Sequence, residues 1–315
     1  MKIWPSYFAA YGSIVALEVV AAASREDLSA LSRIGRRTLV NSIFVQNYFV
    51  PLQWPHSWTI AIEEHFYLLL PLLLLAMTAT SKGRPESAMR GVPIVGAAVA
   101  ILVLGLRLAT PAQGALTGSL YYRTHYRVDA LMFGVVLGYL GHHCPSMFAR
   151  LARHRQLLLL LAASALFVPL APVRLIHTWG FTLLYLGLGG LVVLAASRPD
   201  FGLEGPRPLR WSARALALLG VYSYTIYLGH SALEWLRREV IERLPSPPPP
   251  WLDQIAFLAL SVVAGVALSH AVERPFLRLR ERLVPSRRRA TPGPVPMPPG
   301  ESSLGTDPMD ARATA

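Results

Sequence analysis

The chain has 315 residues, of which 53% are hydrophobic and 15% charged, and its mean hydropathy is +0.41. Soluble domains average about 25% charged residues, so the composition excludes an ordinary soluble core and makes lipid the expected solvent. The formal charge of +12 would suit nucleic acid, but the arginines stand in short loops between apolar runs and in the tail, as membrane topology demands, and no nucleic-acid partner is expected.

A helix needs about 20 mostly apolar residues to cross a bilayer core. About eight candidates follow in chain order: Ile3–Ala23, Trp58–Ala79, Val92–Ala109, Thr124–Gly141, Leu157–Leu170, Thr178–Ser197, Ala213–Leu233 and Leu252–Val272. The expected fold is all-α, a multi-pass transmembrane bundle over residues 1–285, because lipid offers no partner for an unpaired backbone group. The chain opens "MKIWP" and runs straight into the first span, with no signal-peptide n-region or cleavage site. Residues 286–315 are rich in Pro, Gly, Ser and Thr and are expected to be a disordered cytoplasmic tail.

Basic loops carry Lys82, Arg84 and Arg90; Arg150, Arg153 and Arg155; and Arg198, Arg207, Arg210 and Arg214. The tail adds Arg278, Arg280, Arg282 and Arg287 to Arg289. Cytoplasmic loops are enriched in Lys and Arg, so these segments are expected inside a plasma or inner membrane, with both termini cytoplasmic. Arg25, Arg33, Arg36 and Arg37 fall on the other side by this count. A re-entrant and an interfacial segment would each account for them.

Charges inside apolar spans are costly, about 2.5–3.5 kcal/mol on a lenient scale, and mark function by default. "WTIAIEEHFYLLLP" carries Glu63, Glu64 and His65 side by side. On a helix they point in three directions, about 100° apart. Glu63 shares a face with Phe66, Tyr67 and Leu70 and is either a functional carboxylate or half of a Glu–Arg pair that locks helices. Glu64 and His65 are expected at the interface or in helix contacts. In "YYRTHYRVDALMFGVVLGYLG", helical spacing pairs Arg123 with Arg127 and His125 with Asp129. Arg127 suits an anion, either Glu63 or a substrate phosphate or carboxylate; headgroup snorkelling is the structural alternative. Gly134, Gly138 and Gly141 form a small-residue track suited to close helix packing. Ser223, Tyr227, His230 and Glu234 form one polar stripe. His230 could move protons or belong to an aromatic belt at the surface. The single cysteine, Cys144, excludes an intrachain disulfide and a Cys-rich metal site. No HExxH, phosphate loop or G-x-S-x-G elbow occurs, so no metal is expected.

Four segments in order resemble the acyltransferase-3 family of multi-pass membrane O-acyltransferases. "HSWTIAIEEHFYLLLP" is similar to its W-S-L-x-x-E-x-x-F-Y pattern, through Trp58, Thr59, Ile60, Glu63, Phe66, Tyr67 and Pro71. Arg127, Asp129, Leu131 and Gly134 resemble its R-x-D-x-L-x-x-G segment. Ser223, Tyr224, Tyr227, Leu228 and His230 resemble S-Y-x-x-Y-L-x-H, and "VERPF", with Glu273, resembles the closing E-x-P-F. Family members typically have ten helices and begin with an Arg and a catalytic His in the first. Against that pattern, Ile3 and Pro5 match the end of an R-x-x-R-I-x-P segment opening the third helix, with Lys2 where its last Arg should be. The expectation is an N-terminally truncated member lacking two helices and the family's catalytic His.

The resemblance implies transfer of an acyl group, often acetyl, from acyl-CoA to a hydroxyl of a carbohydrate or small metabolite, with no permanently bound cofactor. Its residues here would be Glu63, Arg127 and His230 for catalysis, and Lys2 and Arg127 for acyl-CoA. Trp58, Phe66, Tyr67, Asp129, Tyr227 and Glu273 would complete the motifs. A transporter or flippase, and an inert remnant, are the other readings; the first would favour a pseudo-repeat, and none is visible.

Overall fold

The computed structural model describes residues 3–49, 54–81, 85–111, 120–197 and 206–284. Lys2, Lys82, Arg84, Arg198 and the tail from 286 onward lie outside them. Among the described residues the chain is helical and has no strand, which confirms the all-α expectation.

The helices are α1 (Ile3–Ala23), α2 (Leu28–Ser42), α3 (Trp58–Thr80), α4 (Pro85–Arg90), α5 (Val92–Ala109) and α6 (Val128–His143). They continue as α7 (Pro145–Arg153), α8 (Arg155–Ala165), α9 (Val173–Ala196), α10 (Arg207–Ile241) and α11 (Pro250–Leu283). Among the described residues, five helices (α1, α3, α5, α9 and α11) are long and apolar enough to cross a membrane. A sixth span is possible if α7 and the segment Arg155–Leu170, bent by 72°, count as one.

The eight-span expectation therefore changes in three places. The fourth candidate does not start as an α-helix at Thr124. A 3-10 turn occupies Thr124–Tyr126, and α6 begins only at Val128 and has 16 residues. This also removes the helical spacing that paired Arg123 with Arg127. The fifth shrinks to the 11 residues of α8, because Pro169 and Pro172 follow and cannot donate to a helix. The seventh lies inside α10, a single helix of 35 residues. At about 1.5 Å per residue α10 outruns a hydrocarbon core of about 30 Å, and its polar stripe dilutes its hydropathy.

The four unexpected arginines lie on or beside α2. Asp27 caps this helix, accepting from Ala30 N at 2.9 Å and Ser29 Oγ at 2.7 Å. These bonds hold its carboxyl below the usual carboxylate range. Arg25, Arg33 and Arg36 are exposed while Ile34 is buried, the amphipathic arrangement of an interfacial helix. After α2 the chain turns through Phe44 at φ 57°, a left-handed backbone unusual for a bulky residue. Packing over-determines it, because its ring lies 5.0 Å from Tyr7.

Three apolar clusters order the bundle. Tyr7, Tyr11, Phe44, Trp54, Ile60 and Leu228 tie α1 and α3 to α10. Phe66, Val92 and Met132 join α3, α5 and α6. Leu137, Leu158 and Val193 join α6, α8 and α9. α10 packs along α11, and α8 along α9. α10 and α11 approach tightly at Gly265, where a Cβ would stand 2.5 Å from Ile226 Cα. At Gly134 and Gly138 a Cβ would have nothing within 4 Å. These two glycines line an apolar groove of about 560 Å³ between α6 and α9 with Phe133, Tyr185 and Gly189, so the expected track does not make a tight helix contact.

Candidate functional site

The start of α3 is held by a buried polar scaffold. Ser57 Oγ donates to Trp54 O at 2.8 Å, and Gln46 Nε2 donates to Ser57 O at 2.9 Å. Asn47 Nδ2 donates to Thr124 Oγ1 at 2.9 Å, and Thr124 also pairs with His65 Nδ1 at 2.7 Å. Burial forces these pairings, since an unsatisfied polar group costs about 1–3 kcal/mol. They lock α3 against the turn before α6. His65 makes a helix contact, as expected for it.

One side of this anchored start faces α10. Thr59 Oγ1 and Tyr227 Oη lie 2.6 Å apart, and Tyr227 Oη also donates to His56 O. His230 stands one turn beyond Tyr227. Its Nδ1 is 2.5 Å from Tyr227 O; a carbonyl only accepts, so this nitrogen carries the proton. Nε2 is then the basic nitrogen of neutral His230. The His56 ring meets it edge to face, with centroids 4.5 Å apart. His56 lies in the 3-10 turn Pro55–Ser57 before the span. Burial pushes its imidazole below the usual histidine range, the nearby His230 lowers it further, and Glu234 opposes both. Glu63, one turn past Thr59, is half-buried and electrostatically close to Tyr224 and Tyr227. Glu234 accepts from Arg237 Nε and Arg238 Nε, each at 2.9 Å, and Arg237 pairs with Asp253 on α11. Ser223, at the far end of the stripe, is exposed and bonds Gly220 O within its own helix.

The other side faces α5, α6 and α9. Arg127 is the residue preceding α6, and its guanidinium lies 3.6 Å from the Phe181 ring centre, 5.5 Å from Trp58 and 5.8 Å from Tyr121. Among the described residues it forms no ion pair with Glu63. The buried pair is Arg107–Asp129 instead, with both side chains essentially inaccessible. Arg107 Nη2 also reaches Thr182 Oγ1 at 3.1 Å.

The remaining motif residues lie in different surroundings. Phe66 is buried against Val92 and Met132, whereas Tyr67 is 50% exposed. Glu273 is buried on a π-turn, Ser269–Glu273, and accepts from Ser269 Oγ at 2.9 Å.

A family model described as an acyltransferase domain, the acyltransferase-3 model, matches residues 2–270. The chain belongs to the acyltransferase-3 family. Proteins of Staphylococcus aureus strains COL, MSSA476 and MRSA252 that carry a provisional O-acetyltransferase name are 32% identical over 97 residues. That stretch is 31% of this chain and 15% of each relative, so the match covers a small part of those proteins. No solved structure matches.

In this acyltransferase-3 chain, the motif residues Trp58, Thr59, Glu63, Arg127, Asp129, Tyr227 and His230 gather at one end of the bundle. Three neighbours had not been singled out from sequence. Arg107 carried a signal, a lone arginine in an apolar run, the same criterion that marked Glu63. His56 and His177 carried none, because each gains meaning only from a ring or cation far along the chain.

Proposed function

We propose that this chain is an integral-membrane O-acyltransferase that moves an acyl group, acetyl first, from acyl-CoA to a hydroxyl of a carbohydrate or small metabolite. The observation that carries this reading is the state of His230. A backbone carbonyl takes its Nδ1–H, which leaves Nε2 to accept a hydroxyl proton beside His56, Tyr227 and Thr59. The family match over residues 2–270 supports the reaction class.

In the proposed reaction the acceptor O–H gives its proton to His230 Nε2, and its oxygen attacks the thioester carbonyl. The C–S bond then breaks, and the thiolate takes a proton back from the imidazolium. General-base assistance of this kind contributes about 10²–10⁴-fold. Glu63 lies electrostatically close to Tyr227, beside the proposed base. Arg127, beside Trp58, supplies positive charge for an anionic part of a substrate.

Membranes carrying the full chain should release CoA thiol from acetyl-CoA in the presence of an acceptor panel. His230→Ala should lower that release by about 10²-fold or more, and Glu63→Gln should also weaken it, with membrane insertion unchanged. Unaltered release in both variants would remove the assignment. No release from the parent chain with any acceptor would turn attention to transport.

A further inference from the structure

Arg107 and Arg127 together present more buried donors than the protein satisfies. Arg107 is fully buried, yet among the described residues only its Nη2 has partners; Nε and Nη1 have none. Arg127 Nη1 is buried and unpartnered as well. His177 is 9% exposed, and its Nδ1 has no partner. The Phe181 ring links all three, 5.8 Å from the Arg107 guanidinium, 3.6 Å from that of Arg127, and stacked at 5.4 Å on His177. Aromatic faces stabilise a cation, but they satisfy no N–H.

The charge count is equally one-sided. Asp129 is the carboxylate that acts on Arg127, and it is already bound to Arg107. Among the described residues two guanidinium groups thus share one carboxylate in a buried site, although buried charges are normally paired and hydrogen-bonded. His177 reaches the cluster from a π-turn, Ile176–Gly180, a distortion frequent at functional sites. Arginine donors in a fixed fork match carboxylate and phosphoryl geometry.

We propose that Arg107, Arg127 and His177 form a buried receptor for an oxyanion, a carboxylate or phosphoryl group, and that the acyl acceptor carries it. The acceptor's role rests on the acyltransferase reading; the anion site does not. Placement favours the acceptor over the donor. Arg107 lies near the end of α5, and Arg127 and His177 lie at the starts of α6 and α9. The exposed arginines Arg150, Arg153 and Arg210 belong to the opposite ends of these helices and their neighbours. An acyl-CoA whose phosphates are drawn to that basic end leaves these three side chains to the other substrate.

The test is binding to the full chain in detergent micelles, read by calorimetry and by tryptophan fluorescence, since Trp58 lies 5.5 Å from the Arg127 guanidinium. The probes are glucuronate, glucose 1-phosphate, glucose and coenzyme A. Saturable binding of an anionic sugar is expected, with none of glucose. Arg127→Gln and His177→Phe should each weaken it at least tenfold, while Arg36→Gln, on the exposed face of α2, binds normally. Arg107→Gln is avoided because it would strand Asp129. Equal binding in parent and variants, or binding of neither anionic sugar, overturns the proposal. Coenzyme A binding lost in the same two variants, with no sugar bound, assigns the site to the donor and overturns the acceptor claim. A chain that binds glucuronate here but releases no thiol would sink the acyltransferase reading and leave the anion site standing.

Discussion

Asp129 and His56 show what individual residues contribute. Asp129 neutralises a fully buried arginine. Removing one partner of a buried pair costs about 3–5 kcal/mol, because the other charge stays desolvated. Asp129→Ala should therefore unfold at a markedly lower temperature in detergent, and Arg107→Leu added to it should restore part of the loss. Restoration fails if Asp129 acts through Thr182 or the backbone instead. His56 gives a pH dependence. Its folded-state pKa is depressed by burial and by His230, so folding favours the neutral ring. The stability it contributes is complete above the unfolded value of about 6.5 and is lost as pH falls through the lower folded value. Thermal stability should decline below about pH 6.5, and His56→Gln should flatten that decline. At this scale, sequence made Arg127, Asp129, Glu63 and His230 legible, as polar residues in apolar runs. It could not reveal the meeting of His56 with Tyr227 and His230, because the Tyr227–His56 bond spans 171 residues.

Helices were easier to read than the contacts between them. Periodicity and apolar length placed α1, α3 and α5 almost to the residue. They failed at the start of α6, where side-chain bonds from Asn47 and His65 to Thr124 stabilise a turn that local spacing does not encode. They also misplaced the tight glycine contact. The α10–α11 approach at Gly265 leaves 2.5 Å for a Cβ against Ile226 Cα, and the α8–α9 approach at Gly187 leaves 2.7 Å to Leu161 O. Gly265→Ala should cost about 1–3 kcal/mol through overpacking, seen as a lower unfolding temperature. Gly134→Ala and Gly138→Ala face open space and should be neutral or slightly stabilising, as alanine is the better helix former. Equal loss at Gly134 would show that the groove closes on a neighbour.

Across the whole molecule, positive charge is unequally divided between the two ends. The paired and half-buried polar groups around His230 and Arg107 gather at the end of α5, in the C-terminal half of α10 and at the starts of α3, α6 and α9. Exposed arginines are more numerous at the opposite ends, around α7 and the start of α10, than at this end, where Arg174, Arg238 and Arg243 are exposed. From the positive-inside rule we propose an orientation in which the site opens away from the cytoplasm. Cys144 tests this directly, because it joins α6 to α7 at the basic end. A membrane-impermeant maleimide should label it in inverted vesicles and spare it in intact cells. The reverse pattern would put the site on the cytoplasmic face.

By itself the sequence determined the solvent, the helical class and the reaction family. Those follow from composition, from the backbone's need for internal partners in lipid, and from motifs that keep their order along the chain. Tertiary structure alone decided which histidine has a neighbour, which arginine has a counter-charge and which glycine sits at a helix crossing. Each of these is a distance between segments far apart in sequence, set by how the helices pack, and a linear pattern carries no such distance.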